Sequence, residues 1–274
     1  MTLTREHTGK VHWNLLKWVE LAEDLRRIKT HAIFFPVGSV EQHGPHLPLG
    51  LDYIIADEVS SRACRKLQAR GILALKLPPL PFGMSSMWGA YPGTITLSAE
   101  TLYGVVRDVL HSLWKSGVRL VVIVNGHAGN ADLLRVVARD SAEGFEGLTV
   151  AVVTVWEIVG DLIKELFQTP FFHADEVETS VALALNLPVG EPPRSAPQPS
   201  EFRMYSEEWH SLDLTTRPKA YVYSKESSRV VGLGAFGSPS LATKDKGLKL
   251  LEGMESRIVK FVTDLLHGLE RKMI

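Results

Sequence analysis

The chain has 274 residues and a formal net charge of -1, with 45% hydrophobic and 22% charged residues. This length and composition fit one folded domain with a sizeable core, and they exclude disorder and a nucleic-acid-binding surface. Cys64 is the single cysteine, which excludes a disulfide framework. The chain offers no secretory or membrane-spanning run, so we expect a cytoplasmic enzyme with a small-molecule substrate and no nucleic-acid or membrane partner.

Apolar residues recur with strand-like and helix-like spacing in alternation, which predicts an α/β fold in a single domain over 1–274. The central run 120–124 is apolar throughout, as in a parallel strand buried on both faces. The predicted strands are 32–37, 72–77, 120–124 and 149–155. The predicted helices are 14–28, 53–70, 98–116, 131–142, 158–167, a run at 181–185 with an acidic start, and 244–271.

Other segments lack such periodicity. The stretch 82–94 is rich in glycine and aromatic residues and predicts a long functional loop or lid. Five prolines make 187–199 irregular. We assign no structure to 201–219, and we expect short strands at 221–223 and 230–231.

The loop after the first strand carries several potential metal ligands. Glu41 and His43 are two residues apart, so in an extended segment both side chains leave the same face. Gly44-Pro45 and Pro48 form a turn that returns Asp52 towards them. Carboxylate beside imidazole suits zinc or manganese. The alternatives are a polar surface loop and, for Asp52, a capping role at the next helix.

Two further strand ends deliver polar residues. His127 lies at a strand-to-helix turn, and His173 to Glu178 precede another helix. Parallel strands bring such ends to one rim of the sheet. Asp175 or Glu176 could instead cap the helix, whereas Glu178 shares the helical direction of buried residues and needs a partner or a metal. One aspartate bridging two cations, each completed by a histidine and a glutamate, accounts for all five candidate ligands and suits hydrolysis by a metal-activated water. These ligands are Glu41, His43, Asp52, His127 and Glu178.

Three motifs resemble the creatininase (creatinine amidohydrolase) family, in order from about Trp13 to the last helix. They are 38–49 with Asp52, Asn125 to Asn130, and His173 with Glu178 to Ser180. The resemblance implies a three-layer α/β/α fold with a mostly parallel sheet and a homo-oligomer such as a hexamer. It also implies a dinuclear centre, with zinc as the expected metal and manganese or iron at one site, and cleavage of a C-N bond in a cyclic amide or formamide.

Carried over by position, the resemblance gives Glu41, Asp52 and His127 to one metal, and His43 with Asp52 to the other. Creatininase has a further glutamate ligand two residues after the histidine of the second motif, where this chain has Gly129. We expect Glu178 to replace it, with Glu176 as the reserve and as a candidate catalytic residue. His173 matches the active-site histidine of the family and would donate a proton to the leaving group or orient the substrate.

The lid departs from relatives that carry a histidine there, because this chain has aromatic residues instead. We expect Trp88 and Tyr91, with Ala128 and Trp156, to contact a ring-shaped substrate, although a core position for Trp156 is the alternative. The motifs do not distinguish the amidohydrolase from three other activities on the same fold. These are ring opening of a keto-cyclitol or lactone, peptide processing, and metal binding without catalysis.

Overall fold

The computed structural model describes residues 10–28, 31–193, 196–197, 209, 212–216, 219–220 and 232–272. The short strands expected at 221–223 and 230–231 lie outside these residues, as does most of 201–219. The single-domain organisation of 1–274 stays a prediction.

Four parallel strands form a sheet in the order β2-β1-β3-β4. They are β1 (His31–Val37), β2 (Leu73–Lys76), β3 (Leu120–Asn125) and β4 (Thr149–Thr154). β1 and β3 are buried along their whole length because helices cover both faces. The chain leaves β1 towards β2 on one side, while β3 lies on the other. The carboxyl ends of β1 and β3 therefore flank the point where the strand order reverses, where open α/β sheets bind their ligands.

Seven α-helices surround the sheet in the described part of the chain. They are α1 (Trp18–Arg27), α2 (Leu51–Gln68), α3 (Ala99–Lys115), α4 (Ala131–Gly144), α5 (Gly160–Leu166), α6 (Glu176–Ala184) and α7 (Lys244–Lys272). One apolar cluster joins one face of the sheet to α2, α6 and α7, and a second joins the other face to α3 and α4. The predicted α/β fold with helices on both faces of a parallel sheet is confirmed. Among the described residues, no helix is both long and apolar enough to cross a membrane.

Two glycines at strand ends let α2 approach the sheet. A Cβ on Gly38, just after β1, would lie 2.4 Å from the backbone nitrogen of Tyr53. A Cβ on Gly126, just after β3, would lie 2.1 Å from the backbone oxygen of Asp52. Because only glycine permits these contacts, the first turn of α2 sits directly against the ends of both strands. Asp52 lies inside that turn, after the N-cap residue Gly50.

Candidate metal centre

Six buried side chains with potential ligand atoms gather beside the carboxyl ends of β1 and β3. They form three groups, each with its ligand atoms within 4.8 Å of one another. The groups are Glu41-Asp52-His127, His43-Asp52-Glu178 and Glu41-His43-His173. The first two share Asp52. This is the arrangement expected of a dinuclear centre with one bridging carboxylate.

The two oxygens of Asp52 face different imidazoles. Oδ1 lies 3.2 Å from Nε2 of His43, and Oδ2 lies 3.1 Å from Nδ1 of His127. Oδ2 of Asp52 and Oε2 of Glu41 are buried and make no hydrogen bond among the described residues. Buried carboxylate oxygens need a partner, and a bound cation would supply one. The residues present therefore fit a metal at this position.

A different glutamate completes each of the two groups. Oε1 of Glu41 lies 3.3 Å from Nδ1 of His127, whereas Oε2 of Glu178 lies 3.9 Å from Nε2 of His43. Glu178 also accepts a hydrogen bond from the backbone N-H of Ala174, at 2.5 Å. Each of the two groups that share Asp52 thus has one histidine and one glutamate of its own.

Backbone carbonyls set the orientation of both histidines. Nδ1 of His43 lies 3.0 Å from the carbonyl oxygen of Glu41, and Nε2 of His127 lies 3.0 Å from that of Met84. Because a carbonyl oxygen only accepts, each of these nitrogens carries the proton in the neutral ring. The other nitrogen then faces the carboxylates unprotonated, which is the tautomer that metal ligation requires.

Two asparagines that the sequence analysis did not single out hold this shell in place. Asn125 donates to the backbone oxygen of His127 at 2.8 Å and accepts from its N-H at 3.2 Å. Asn130 accepts from the N-H of Met84 at 2.9 Å and donates to the oxygen of Gly38 at 3.1 Å. Their presence in the second motif was the available signal. The partners of Asn130, Met84 and Gly38, come from distant segments and could not be read from it.

Among the described residues of the metal-free chain, imidazoles are the groups that balance the carboxylate charges of the cluster. Burial opposes charge on His43, but Asp52, Glu178 and Glu41 outweigh it and raise its pKa to about 10. Burial likewise opposes charge on Asp52, and the two imidazoles nevertheless hold its pKa well below the ordinary range. Burial raises the pKa of Glu178 to about 8. No lysine or arginine among the described residues forms an ion pair with these carboxylates, so divalent cations suit the site.

Comparison with known proteins agrees with this geometry. The Creatininase family model, described as creatinine amidohydrolase, matches residues 14–262. The chain belongs to the creatininase family. The resemblance inferred from the motifs is thus confirmed, and the protein is a creatininase-family metal hydrolase with a buried cluster of His, Glu and Asp side chains.

Three relatives differ in the activity that their names give. Creatinine amidohydrolase of Pseudomonas putida is 28% identical over 238 residues, which are 80% of this chain and 84% of that protein. Mycofactocin precursor peptide peptidase of Mycobacterium tuberculosis is 29% identical over 241 residues, 84% of each chain. 3-dehydro-scyllo-inosose hydrolase of Thermotoga maritima is 27% identical over 186 residues, 66% of this chain and 58% of that protein.

Solved structures extend the likeness to the fold. A crystal structure of creatinine amidohydrolase (creatininase) is 26% identical, with a TM-score of 0.73, and the match covers 94% of this chain and 98% of that one. Creatininase structures of a Zn-Zn type and of a Mn form are both 25% identical with TM-scores of 0.72. Buried His, Glu and Asp groups in this chain and metals in these relatives both point to a binuclear site.

Gly129 stands where the resemblance implies a further glutamate ligand, and its surroundings are crowded. A Cβ at this position would lie 2.5 Å from Nε2 of His127 and 2.8 Å from the carbonyl oxygen of Met84. Any side chain here would displace the hydrogen bond that orients His127. In this creatininase-family chain the carboxylate nearest to His43 after Asp52 is instead Glu178, which arrives from α6.

Glu176 is not a reserve ligand or a catalytic group, and that prediction was wrong. One of its carboxylate oxygens forms an ion pair with Lys246, and the other accepts from the backbone N-H of Gln168 at 3.1 Å. Two residues on a helix are separated by about 200° around its axis, so Glu176 and Glu178 point in nearly opposite directions. The capping prediction for Asp175 is confirmed, because it accepts from the N-H groups of Val177 and Glu178.

His173 lies beside the two groups that share Asp52. Its Nδ1 is 3.8 Å from Oε1 of Glu41, and its ring stacks on Trp88 with centroids 4.1 Å apart. Burial, together with nearby His43, lowers the pKa of His173 to about 3, so the ring is neutral. A neutral imidazole at this distance is placed to exchange a proton with a group bound at the cluster.

The residues predicted to contact substrate occupy different environments. Trp88 covers His173 and packs against Phe236 at 6.3 Å, and the Tyr91 hydroxyl donates to the backbone oxygen of Gly232 at 3.1 Å. Ala128 is half-buried directly after His127. Trp156 is only 2% exposed, belongs to the core, and donates its indole N-H to the oxygen of Gly126 at 2.7 Å. This environment is that of the core tryptophan given as the alternative, and contact between Trp156 and a substrate stays a prediction.

Proposed function

We propose that this chain is a dinuclear metal-dependent amidohydrolase that cleaves the C-N bond of a cyclic amide or a formamide in a small molecule. The observation that carries the proposal is the pair of buried groups that share Asp52. Mixed imidazole and carboxylate ligands favour zinc, with manganese or iron as the alternative at one site. A homo-oligomeric assembly, without nucleic-acid or membrane partners, is part of the same proposal.

Each residue of the site has a role in this proposal. Metals bound there would polarise the substrate carbonyl and lower the pKa of a water molecule. Glu41, Asp52 and His127 would hold one of them, and His43, Asp52 and Glu178 the other. His173 would receive a proton on Nδ1 and deliver it to the departing nitrogen. Trp88, Tyr91 and Ala128 would line the path by which the substrate enters.

A second candidate function uses the same site for ring opening of a keto-cyclitol or lactone, or for cleavage of a peptide. What favours it is the similarity to relatives named as an inosose hydrolase and as a precursor peptide peptidase. The site itself suits any carbonyl that an activated water attacks, so the two candidates differ only in the bond that breaks and the group that leaves.

The metal proposal is tested by replacing the shared ligand. Asp52→Ala should reduce bound metal from two ions per chain to fewer than one, as measured by elemental analysis after loading with zinc or manganese. Asp57→Asn is the matched control on the same helix, because Asp57 pairs with Lys76 and lies outside the ligand groups. Full retention of one ion by Asp52→Ala would contradict the bridging assignment.

The reaction is tested with a substrate panel supplied to the metal-loaded chain. The panel contains creatinine, other cyclic amides, N-formyl amines, lactones, keto-cyclitols and short peptides. We expect the cyclic amides to open to ring-opened products that carry both an amine and a carboxylate, or the formamides to release formate and an amine. Opening of the lactones or keto-cyclitols alone, or peptide cleavage alone, would support the second candidate instead.

A further inference from the structure

Gln42 lies between Glu41 and His43 and has no role in the proposed chemistry so far. It is only 4% exposed. Its backbone N-H donates to the hydroxyl oxygen of Thr94 at 3.0 Å, and its other polar atoms meet Gly44, Gly234 and His173. A single glutamine thus joins the ligand loop to three other segments around the site.

The hydrogen bonds of Gln42 fix the orientation of its side-chain amide. The N-H of Gly44 donates to Oε1 at 2.8 Å, and Nε2 donates to the carbonyl oxygen of Gly234 at 3.1 Å. An N-H requires the amide oxygen and a carbonyl requires the amide nitrogen, so the flipped arrangement would break both bonds. The amide N-H₂ group therefore faces Gly234 and His173.

His173 meets both a donor and an acceptor of Gln42 at the same ring nitrogen. Nε2 of His173 lies 2.8 Å from the backbone oxygen of Gln42 and 3.0 Å from its side-chain Nε2. When Nε2 carries a proton it can donate to the carbonyl, and when it does not it can accept from the amide. The ring keeps a partner in either tautomer without moving, while Nδ1 stays on the side of Glu41.

The residues around Gln42 and His173 leave little room for another arrangement of the amide and the ring. A Cβ on Gly234, which has φ +71°, would lie 2.1 Å from Oε1 of Gln42. Trp88 stacks on the face of His173, and the N-H of Phe236 donates to the His173 backbone oxygen at 3.1 Å. Gln42 therefore contacts the ring edge of His173, Trp88 contacts the ring face, and Phe236 binds the backbone.

We propose that Gln42 is the positioning residue of His173, holding the ring with Nδ1 towards the cluster whichever ring nitrogen carries the proton. The catalytic consequence rests on the proposed hydrolase function, whereas the placement of the ring does not. The role is distinct from metal binding, because an amide that is already engaged by Gly44 and Gly234 is a poor ligand for a further cation.

The inference is tested with Gln42→Met, which keeps the side-chain length and removes the amide. Gln68→Met is the matched control, because Gln68 is also buried and donates its amide to two backbone oxygens, those of Lys10 and Ala74. Both variants are loaded with zinc, and three quantities are compared: metal content, the ¹⁵N NMR signals of histidine rings, and kcat and KM on a substrate found in the panel.

Gln42→Met should keep two metals per chain, change the ring signals of His173, and lower kcat at least tenfold with less than a threefold change in KM. Gln68→Met should leave the His173 signals and kcat unchanged. Unchanged His173 signals in Gln42→Met would overturn the inference, and so would loss of metal in proportion to activity. If no substrate is found, the hydrolase proposal fails, and the NMR comparison still decides whether Gln42 positions His173.

Gln42→Glu is measured in parallel, so that poor folding of the methionine variant does not stop the test. It keeps the oxygen that accepts from Gly44 but offers His173 no donor. We expect its His173 signals to show only the form with a proton on Nε2. A mixture of tautomers equal to that of the unsubstituted chain would overturn the proposed role of the amide.

Discussion

For a single carboxylate, the position along a helix decides whether it faces the candidate metal centre or a lysine. Glu176 and Glu178 are both fully or nearly fully buried in the first turn of α6. Glu176 pairs with Lys246 of α7, whereas Glu178 faces His43. Each of these buried carboxylates requires a partner of its own, whichever side of the helix it lies on. Glu176 and Glu178 are chemically identical, but replacing one of them should therefore not have the same effect as replacing the other.

We expect Glu178→Gln to reduce bound metal from two ions to one per chain, and Glu176→Gln to keep both. The second variant should instead lose about 1–3 kcal/mol of stability, because Lys246 would remain partly buried without its carboxylate. Elemental analysis and urea unfolding of the metal-free variants measure the two effects, and each variant controls for the other. Two ions in Glu178→Gln would remove Glu178 from the proposed ligands.

At this scale, the sequence identified the residues whose spacing is local. Glu41, His43 and Asp52 belong to one loop, and the structure brings them together with His127, which has its own motif. The carbonyl of Met84 and its link to Asn130 could not be predicted, because residues 46 apart meet there through backbone atoms that carry no sequence signal. The ion pair of Glu176 could not be predicted either, because its partner Lys246 lies 70 residues away in the chain.

Among the elements, the packing of α7 against α6 holds the helix that carries Glu178. A Cβ on Gly247 would lie 1.9 Å from the backbone oxygen of Ser180. The backbone N-H of Thr243 also donates to the hydroxyl oxygen of Ser180 at 3.1 Å. α7 thus presses on α6 where a side chain would not fit. The position of Glu178 depends on a contact far along the chain.

Gly247→Ala should therefore destabilise the protein by about 1–3 kcal/mol through overpacking, and it should weaken metal binding at the group that contains Glu178. Gly268→Ala, near the other end of α7, has no atom within 4 Å of the added Cβ. That variant should be more stable by about 0.5–1 kcal/mol. Thermal unfolding and zinc titration measure both. Equal effects of the two substitutions would show that α6 and α7 are not tightly coupled.

The elements were largely predictable, because buried parallel strands are apolar throughout and helices have a clear period. The strand ends differ from prediction by one residue, and α2 begins two residues earlier than expected. That shift places Asp52 inside the first turn. The lid was predicted only as a loop. Its stacking of Trp88 on His173 depends on tertiary contacts that periodicity does not report.

For the whole molecule, the buried cluster couples stability to pH. Burial raises the pKa of Glu178 from 4.5 to about 8; for His43 burial is outweighed by Asp52 and neighbouring carboxylates, and its pKa rises from 6.5 to about 10. Both shifts favour the protonated folded form. The stability that these shifts contribute is present in full below pH 4.5 for Glu178 and below pH 6.5 for His43. It is lost as the pH rises through about 8 for Glu178 and about 10 for His43.

The metal-free chain should consequently melt at a lower temperature at pH 9 than at pH 7, by roughly 5 °C. Zinc binding requires the deprotonated groups, so the rise in melting temperature on adding zinc should grow over the same interval. Differential scanning calorimetry with and without zinc measures this. Glu178→Gln removes one of the two groups and should show a shallower decline. A metal-free melting temperature that rises towards pH 9 would contradict the charge balance described for the cluster.

The glycines at the ends of β1 and β3 position the candidate metal centre, and separate loops supply the aromatic residues beside it. Asp52 is placed by backbone contact with strand ends, whereas Trp88, Tyr91 and Phe236 come from loops above the site. Under the proposed function, we expect substitutions in those loops to change which molecule binds without moving the shared aspartate. The same expectation offers one reason why relatives within a single family are named for creatinine, a dehydro-inosose and a precursor peptide.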